Sequence, residues 1–129
     1  MIRTLLVAGA LVLMAVPAAD AQARRSILDE VDHCPGESNM EILQCAGGIS
    51  AREDARLNRA YKAAMARLTP PRQRALRETQ RRWIKDRDAQ CQAEFDGGGA
   101  QAGIYGTACL ARVTHDRALE LEQTARNGR

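Results

Sequence analysis

Aromatic residues are nearly missing from this chain: Tyr61, Trp83, Phe95 and Tyr105 are the whole set, 3% of 129 residues. A core of stacked rings is excluded, so a folded interior has to come from Leu, Ala, Met, Ile and Val. Recognition of nucleic acid by rows of base-stacking rings is not expected either. Histidine is as scarce: His33 and His115 stand at no ligand spacing to each other or to cysteine, so no metal site is expected. No Cys-x-x-Cys pair offers redox chemistry. The glycines at 97–99 lack the Gly-Lys-Ser/Thr ending of a phosphate-binding loop. No serine sits in a nucleophile elbow. The carboxylate pairs Glu53/Asp54 and Asp86/Asp88 occur at offsets that point in different directions on a helix. The chain is therefore expected to be no enzyme and to carry no cofactor.

Long apolar runs are lacking too, except at the start. Arg3 precedes an almost unbroken apolar stretch from Leu5 to Val16, followed by Pro17 and the small residues Ala18, Ala19 and Ala21. Charge, apolar segment and small residues in this order predict a cleavable export signal over residues 1–23, cut after Ala21 or Ala23. The stretch is about a dozen residues, short of the roughly 20 that span a bilayer. No second such run follows, so no transmembrane segment is expected in the mature chain. Residues 24–129 read as one domain with an ordered core over about 34–125, periplasmic or secreted.

What is present begins with cysteine. Cys34, Cys45, Cys91 and Cys109 all follow the signal. An even number in a short exported chain reads as a disulfide framework, and an oxidising compartment lets it persist. Four cysteines allow three connectivities. Local pairing, Cys34–Cys45 and Cys91–Cys109, needs the least rearrangement of the chain and is favoured over the crossed forms.

The remaining pattern is helical. Ser38 precedes Ile42, Leu43 and Cys45 and predicts a short helix ended by Gly47-Gly48. Ser50-Ala51-Arg52-Glu53 has the form of a capping box and predicts the start of a long helix with Leu57, Tyr61, Ala64/Met65 and Leu68 inward. Thr69-Pro70-Pro71 ends it and opens a second helix to about Glu94. The inward stripe there is Leu76, Gln80, Trp83 (with Ile84), Arg87 and Cys91. A buried arginine is costly unless paired, so Arg87 needs a carboxylate or the open carbonyls of a helix end. Gly97, Gly98 and Gly99, with Gly103 and Gly106, predict a flexible connection. A third helix is expected from about Thr107 to Ala125, with Cys109, Leu110, Val113, Ala118 and Leu121 inward and a frayed tail after it. The fold class expected is all-α: a small antiparallel domain of three main helices plus a short N-terminal one, stapled by disulfides. An up-down-up order gathers Cys45, Cys91 and Cys109 at one pole.

The order Cys34, Met40, Cys45, then Leu57-Asn58-x-x-Tyr61, then Gln80-x-x-Trp83-x-x-x-Arg87-Asp88-x-x-Cys91, then Cys109 and Thr114-x-x-Arg117 resembles the exported domain named after the LprI lysozyme inhibitor. The resemblance spans about Cys34 to Leu121. It implies an all-helical bacterial envelope protein that inhibits peptidoglycan-cleaving lysozymes. Read physically, Trp83 is the expected centrepiece of the core. Gln80, Arg87, Asp88 and Arg117 are expected to form a polar network around it, with Asn58 and Tyr61 contributing from the first helix. A partner is expected first at the glycine-rich connection, through Gly97, Gly98, Gly99 and Tyr105, because mobile loops on a rigid scaffold often carry binding.

Charge is unevenly placed. Between Arg52 and Asp88 there are 12 basic residues against 5 acidic ones, whereas acids lead before that segment (Asp29, Glu30, Asp32, Glu37, Glu41). Two partners are therefore weighed: a lysozyme, from the resemblance, and an anionic envelope polymer met by basic helices.

Overall fold

A computed structural model describes residues 29–128, and the expected signal at 1–23 lies outside them. A helical turn at residues 29–32 precedes three long helices: α1 (Asn39–Arg67), α2 (Pro70–Phe95) and α3 (Gly99–Asn127). No strand occurs among the described residues, and no helix there is long and apolar enough to cross a membrane.

α1 opens where Ser38 and Glu41 cap each other. The Ser38 hydroxyl accepts from the Glu41 N–H at 3.3 Å, and the Glu41 carboxylate accepts from the N–H groups of Ser38 and Glu37 at 3.0 and 2.9 Å. Those donors hold the Glu41 carboxyl below its usual range, Ser38 contributing most.

The expected break at Gly47-Gly48 does not occur: the short helix and the first long helix are one element of 29 residues. Glycine costs a helix roughly 1 kcal/mol relative to alanine. Here Ala46 and Ile49 are buried on either side of the pair, and Ile49 packs against Val31, Ala108 and Ala111. Burial on both flanks outweighs the local penalty. The Ser50 capping box is consequently not formed, and Glu53 is buried inside the bundle instead.

Pro70 and Pro71 start α2 as expected, although Thr69 makes no side-chain cap bond. The Gln73 amide takes over by donating to the open carbonyls of Met65 and Leu68 at 3.0 and 3.2 Å, which fastens the end of α1 to the start of α2. The glycine-rich connection is much shorter than expected. Only residues 96–98 lie between the helices, and Gly103 and Gly106 are inside α3. Gly98 and Gly99 have positive φ and make the turn. Gly106 serves a close approach, because a β-carbon there would overlap the Phe95 ring. The expected frayed tail is also helical, to Asn127, where Gly128 in the left-handed region closes α3.

α1 and α3 run parallel, with Glu53 beside His115 and Arg56 beside Glu122. α2 runs antiparallel to α3, with Arg87 beside Thr114, Gln80 beside Arg117 and Cys91 bonded to Cys109. α3 packs against both other helices, while α1 and α2 meet only sparsely. The buried seam is rich in alanine (Ala46, Ala60, Ala64, Ala108, Ala111, Ala118), which compensates for the missing rings by letting backbones approach closely. Cys34–Cys45 and Cys91–Cys109 close loops of 11 and 18 residues, each worth about 3 kcal/mol by chain-entropy arguments. Disulfides of this kind belong to compartments outside the cytoplasm.

Gly47 and Gly48 have open space where a β-carbon would stand, and their φ values are negative. Gly47→Ala is expected to raise stability by about 0.5–1 kcal/mol. Gly106→Ala is expected to lower it by about 1–3 kcal/mol through overlap with Phe95. Urea unfolding of both variants checks the opposite signs.

Candidate functional site

Five of the seven motif residues come together on the faces that α2 and α3 share. Trp83 lies half-buried between two guanidinium groups, Arg87 at 5.2 Å and Arg117 at 5.8 Å from its ring centre. Arg87 donates to Asp54 and Thr114, both at 3.2 Å, and to Asp88 at 2.9 Å. Arg117 donates to the Gln80 carbonyl oxygen at 3.0 Å and to Glu120 at 2.7 Å. The inward arginine thus finds carboxylates, and its partner on α1 is Asp54. Asn58 and Tyr61 are placed differently: they stand on one wall of an open groove between α1 and α2.

That groove exists because α1 and α2 both lean on α3 rather than on each other. It encloses about 360 Å³ and is lined by Leu57, Asn58, Tyr61, Arg77, Gln80, Arg81 and Ile84. No carboxylate is among these residues. Gln80 has its carbonyl committed to Arg117, so its amide N–H groups are what it offers. The lining is donor-rich over an apolar floor, a surface suited to an anionic group with an apolar flank.

A smaller cleft of about 230 Å³ lies near the Cys34–Cys45 bond, lined in part by Val31, Ile42, Ile104, Tyr105 and Arg112. Tyr105 is exposed there, on α3. Tyr105 lies within α3, which begins at Gly99, so it does not share one loop with Gly97 and Gly98.

A buried polar layer was not anticipated from the sequence. Glu53 and His115 are 4% exposed each, and Nδ1 of His115 lies 3.0 Å from a Glu53 carboxylate oxygen. Arg56 reaches the same nitrogen at 3.0 Å and pairs with Glu122 through two bonds of 2.7 and 2.8 Å. The Arg56 guanidinium holds the Glu122 carboxyl below its ordinary range, and Glu122 in turn raises Arg56. A signal did exist: Glu53 is four residues before Leu57, on the buried stripe of α1. Among the described residues no cluster of three or more His, Cys, Asp or Glu side chains could hold a metal.

The sequence profile of the lysozyme inhibitor LprI family matches residues 32–121, which takes in both disulfides and every motif residue. An uncharacterized protein of Rhizobium meliloti (strain 1021) is 30% identical over 131 aligned positions, covering 90% of this chain and 92% of that one. No solved structure matches.

Arg87→Ala is expected to cost about 1–2 kcal/mol, chiefly by leaving the buried Thr114 hydroxyl unpaired, because Asp54 is exposed and is resolvated by water. Trp83→Ala is expected to cost about 3 kcal/mol or more. Both should lower the melting temperature along with any activity, and calorimetry of the purified variants checks this. Glu122 has a lowered pKa, so its stabilisation is present above the unfolded-state value near ~4.3 and is lost as pH falls through the lower folded value. Glu122→Gln should therefore flatten the acid limb of the stability profile and destabilise the protein at neutral pH.

Proposed function

Because the chain belongs to the lysozyme inhibitor LprI family, we propose that it is an exported, non-enzymatic inhibitor that binds a lysozyme and blocks cleavage of peptidoglycan. The family match over residues 32–121 carries this reading. The architecture supports it: three helices locked by two disulfides make a rigid scaffold, so little ordering free energy is lost on binding. Export through the segment at residues 1–23 belongs to the same proposal.

One observation favours a second reading. Arg74, Arg77, Arg81 and Lys85 on α2 are exposed and reach no carboxylate among the described residues, as they would on a module that binds anionic cell-surface polymer. Lysozyme turnover on cell-wall substrate, with and without the purified mature protein, separates the two. Dose-dependent inhibition at micromolar protein is expected. Unchanged turnover across animal and bacterial lysozymes, together with salt-sensitive capture by lipopolysaccharide or peptidoglycan, would replace the inhibitor reading with the polymer one.

A further inference from the structure

Among the described residues, some basic side chains of the bundle reach a carboxylate and others, Arg59, Lys62, Arg67 and Arg82 among them, do not. Arg52, Arg56, Arg87, Arg112 and Arg117 each reach a carboxylate. Arg74, Arg77, Arg81 and Lys85 reach none among the described residues. Their steps of three and four residues align them along one side of α2. Like charges four apart on a helix repel, so Arg77 against Arg81 and Arg81 against Lys85 work against folding. All four are exposed, so packing does not explain them.

The same side of α2 forms one wall of the α1–α2 groove. Arg77 and Arg81 line it, with the Asn58 and Gln80 amides, the Tyr61 hydroxyl and the exposed Ile84. α2 is the most exposed of the three helices: of its 26 residues only Gln80 and Cys91 are buried. It presents a ridge about 39 Å long.

We propose that this arginine-bearing ridge of α2 is the surface that engages the lysozyme, and that Arg77 and Arg81 meet the pair of catalytic carboxyl groups in its substrate cleft. This rests on the inhibitor reading above and adds the contact site on both partners. Glycosidases cut with two carboxyl groups flanking the scissile bond, about 5–9.5 Å apart. The centre of such a cleft is acidic whatever the charge elsewhere on the enzyme. Arg77 and Arg81 are one turn apart, about 6 Å along the axis, which matches that spacing. Guanidinium groups pair with carboxylates through two parallel hydrogen bonds. A cleft shaped for an extended sugar chain accepts a ridge better than a broad face. Local charge thus complements the enzyme's centre, although the chain's net charge of +3 gives no long-range attraction to a basic lysozyme.

The test uses the full mature chain against a lysozyme and a soluble oligosaccharide substrate. The double variant Arg77→Glu/Arg81→Glu is compared with Arg59→Glu/Arg67→Glu, which makes the same change of net charge on exposed positions of α1. Inhibition by the wild-type chain is expected to be competitive with substrate. The α2 variant should weaken it at least ~10-fold, as loss of close charge pairs does, with its melting temperature and helical circular dichroism retained. The α1 variant should stay within about twofold. Neutralising the enzyme's two catalytic carboxyl groups to amides should weaken wild-type binding to a similar degree. Inhibition by the α2 variant equal to wild type, or wild-type inhibition indifferent to substrate, overturns the contact site and leaves the inhibitor reading standing. Absence of inhibition by the wild-type chain overturns both. If lipopolysaccharide capture alone is lost in the α2 variant, the ridge belongs to polymer binding and the proposal falls.

Discussion

Glu53 and His115 face each other across the seam between α1 and α3, and the register of the bundle depends on that contact. An alanine-rich seam lets two helices approach closely but says little about how far one slides along the other. Small side chains fill many offsets equally well. A buried carboxylate does not tolerate such freedom, because displacement by one turn would strand it in an apolar environment at a cost of several kcal/mol. The layer is completed by Arg56 and Glu122 on one flank and by Thr114 with Arg87 on the other. It divides the interior into an apolar cluster around Ile49 and Ala111 and another around Leu57, Ala118 and Leu121. Apolar packing supplies the driving force on both sides, and the polar layer selects one alignment.

The groove follows from the same alignment. With α1 and α2 both docked on α3, the two helices are held apart near Tyr61 and Ile84. Trp83 packs against the apolar cluster around Leu57 and Ala118, and the Arg87 and Arg117 guanidinium groups stand over its ring. The motif residues of the family therefore have two kinds of role. Gln80, Trp83, Arg87, Asp88 and Arg117 fasten α2 to its neighbours, whereas Asn58 and Tyr61 furnish the opposite wall of the open groove. The face of α2 that packs on α3 and its exposed arginine row are turned from each other by about a quarter of the helix circumference.

Much of this was legible in the chain. The proline start of α2 and local pairing of the cysteines rest on short-range rules, and the structure follows them. The stripe of α2 is followed at Gln80 and Cys91, while Ile84, expected inward beside Trp83, is exposed. The need of Arg87 for carboxylates was legible as well, since burial of an unpaired charge is forbidden by its cost. The glycines were misleading. Gly47-Gly48 carried the signal of a helix end and Gly103 and Gly106 that of a linker, yet all four are helical. Local propensity is worth about 1 kcal/mol per glycine, and packing of Ile49 or Phe95 overrides it. Glu53 was misplaced for the same reason. Its capping geometry with Ser50 is a local option, and the distant His115 outbids it.

The sequence by itself determined the class of molecule: helical by period, stapled by cysteine, poor in the residues that perform chemistry. Such properties depend on residue type and on spacings within a turn or two, so they survive without knowledge of the fold. Only the tertiary structure decided that α1 is one long helix, that Glu53 meets His115 62 residues away, and that α1 and α2 stand apart to leave a donor-lined groove. Those outcomes depend on burial and on contacts between distant segments, whose energies exceed local preferences and cannot be assigned until the helices are docked.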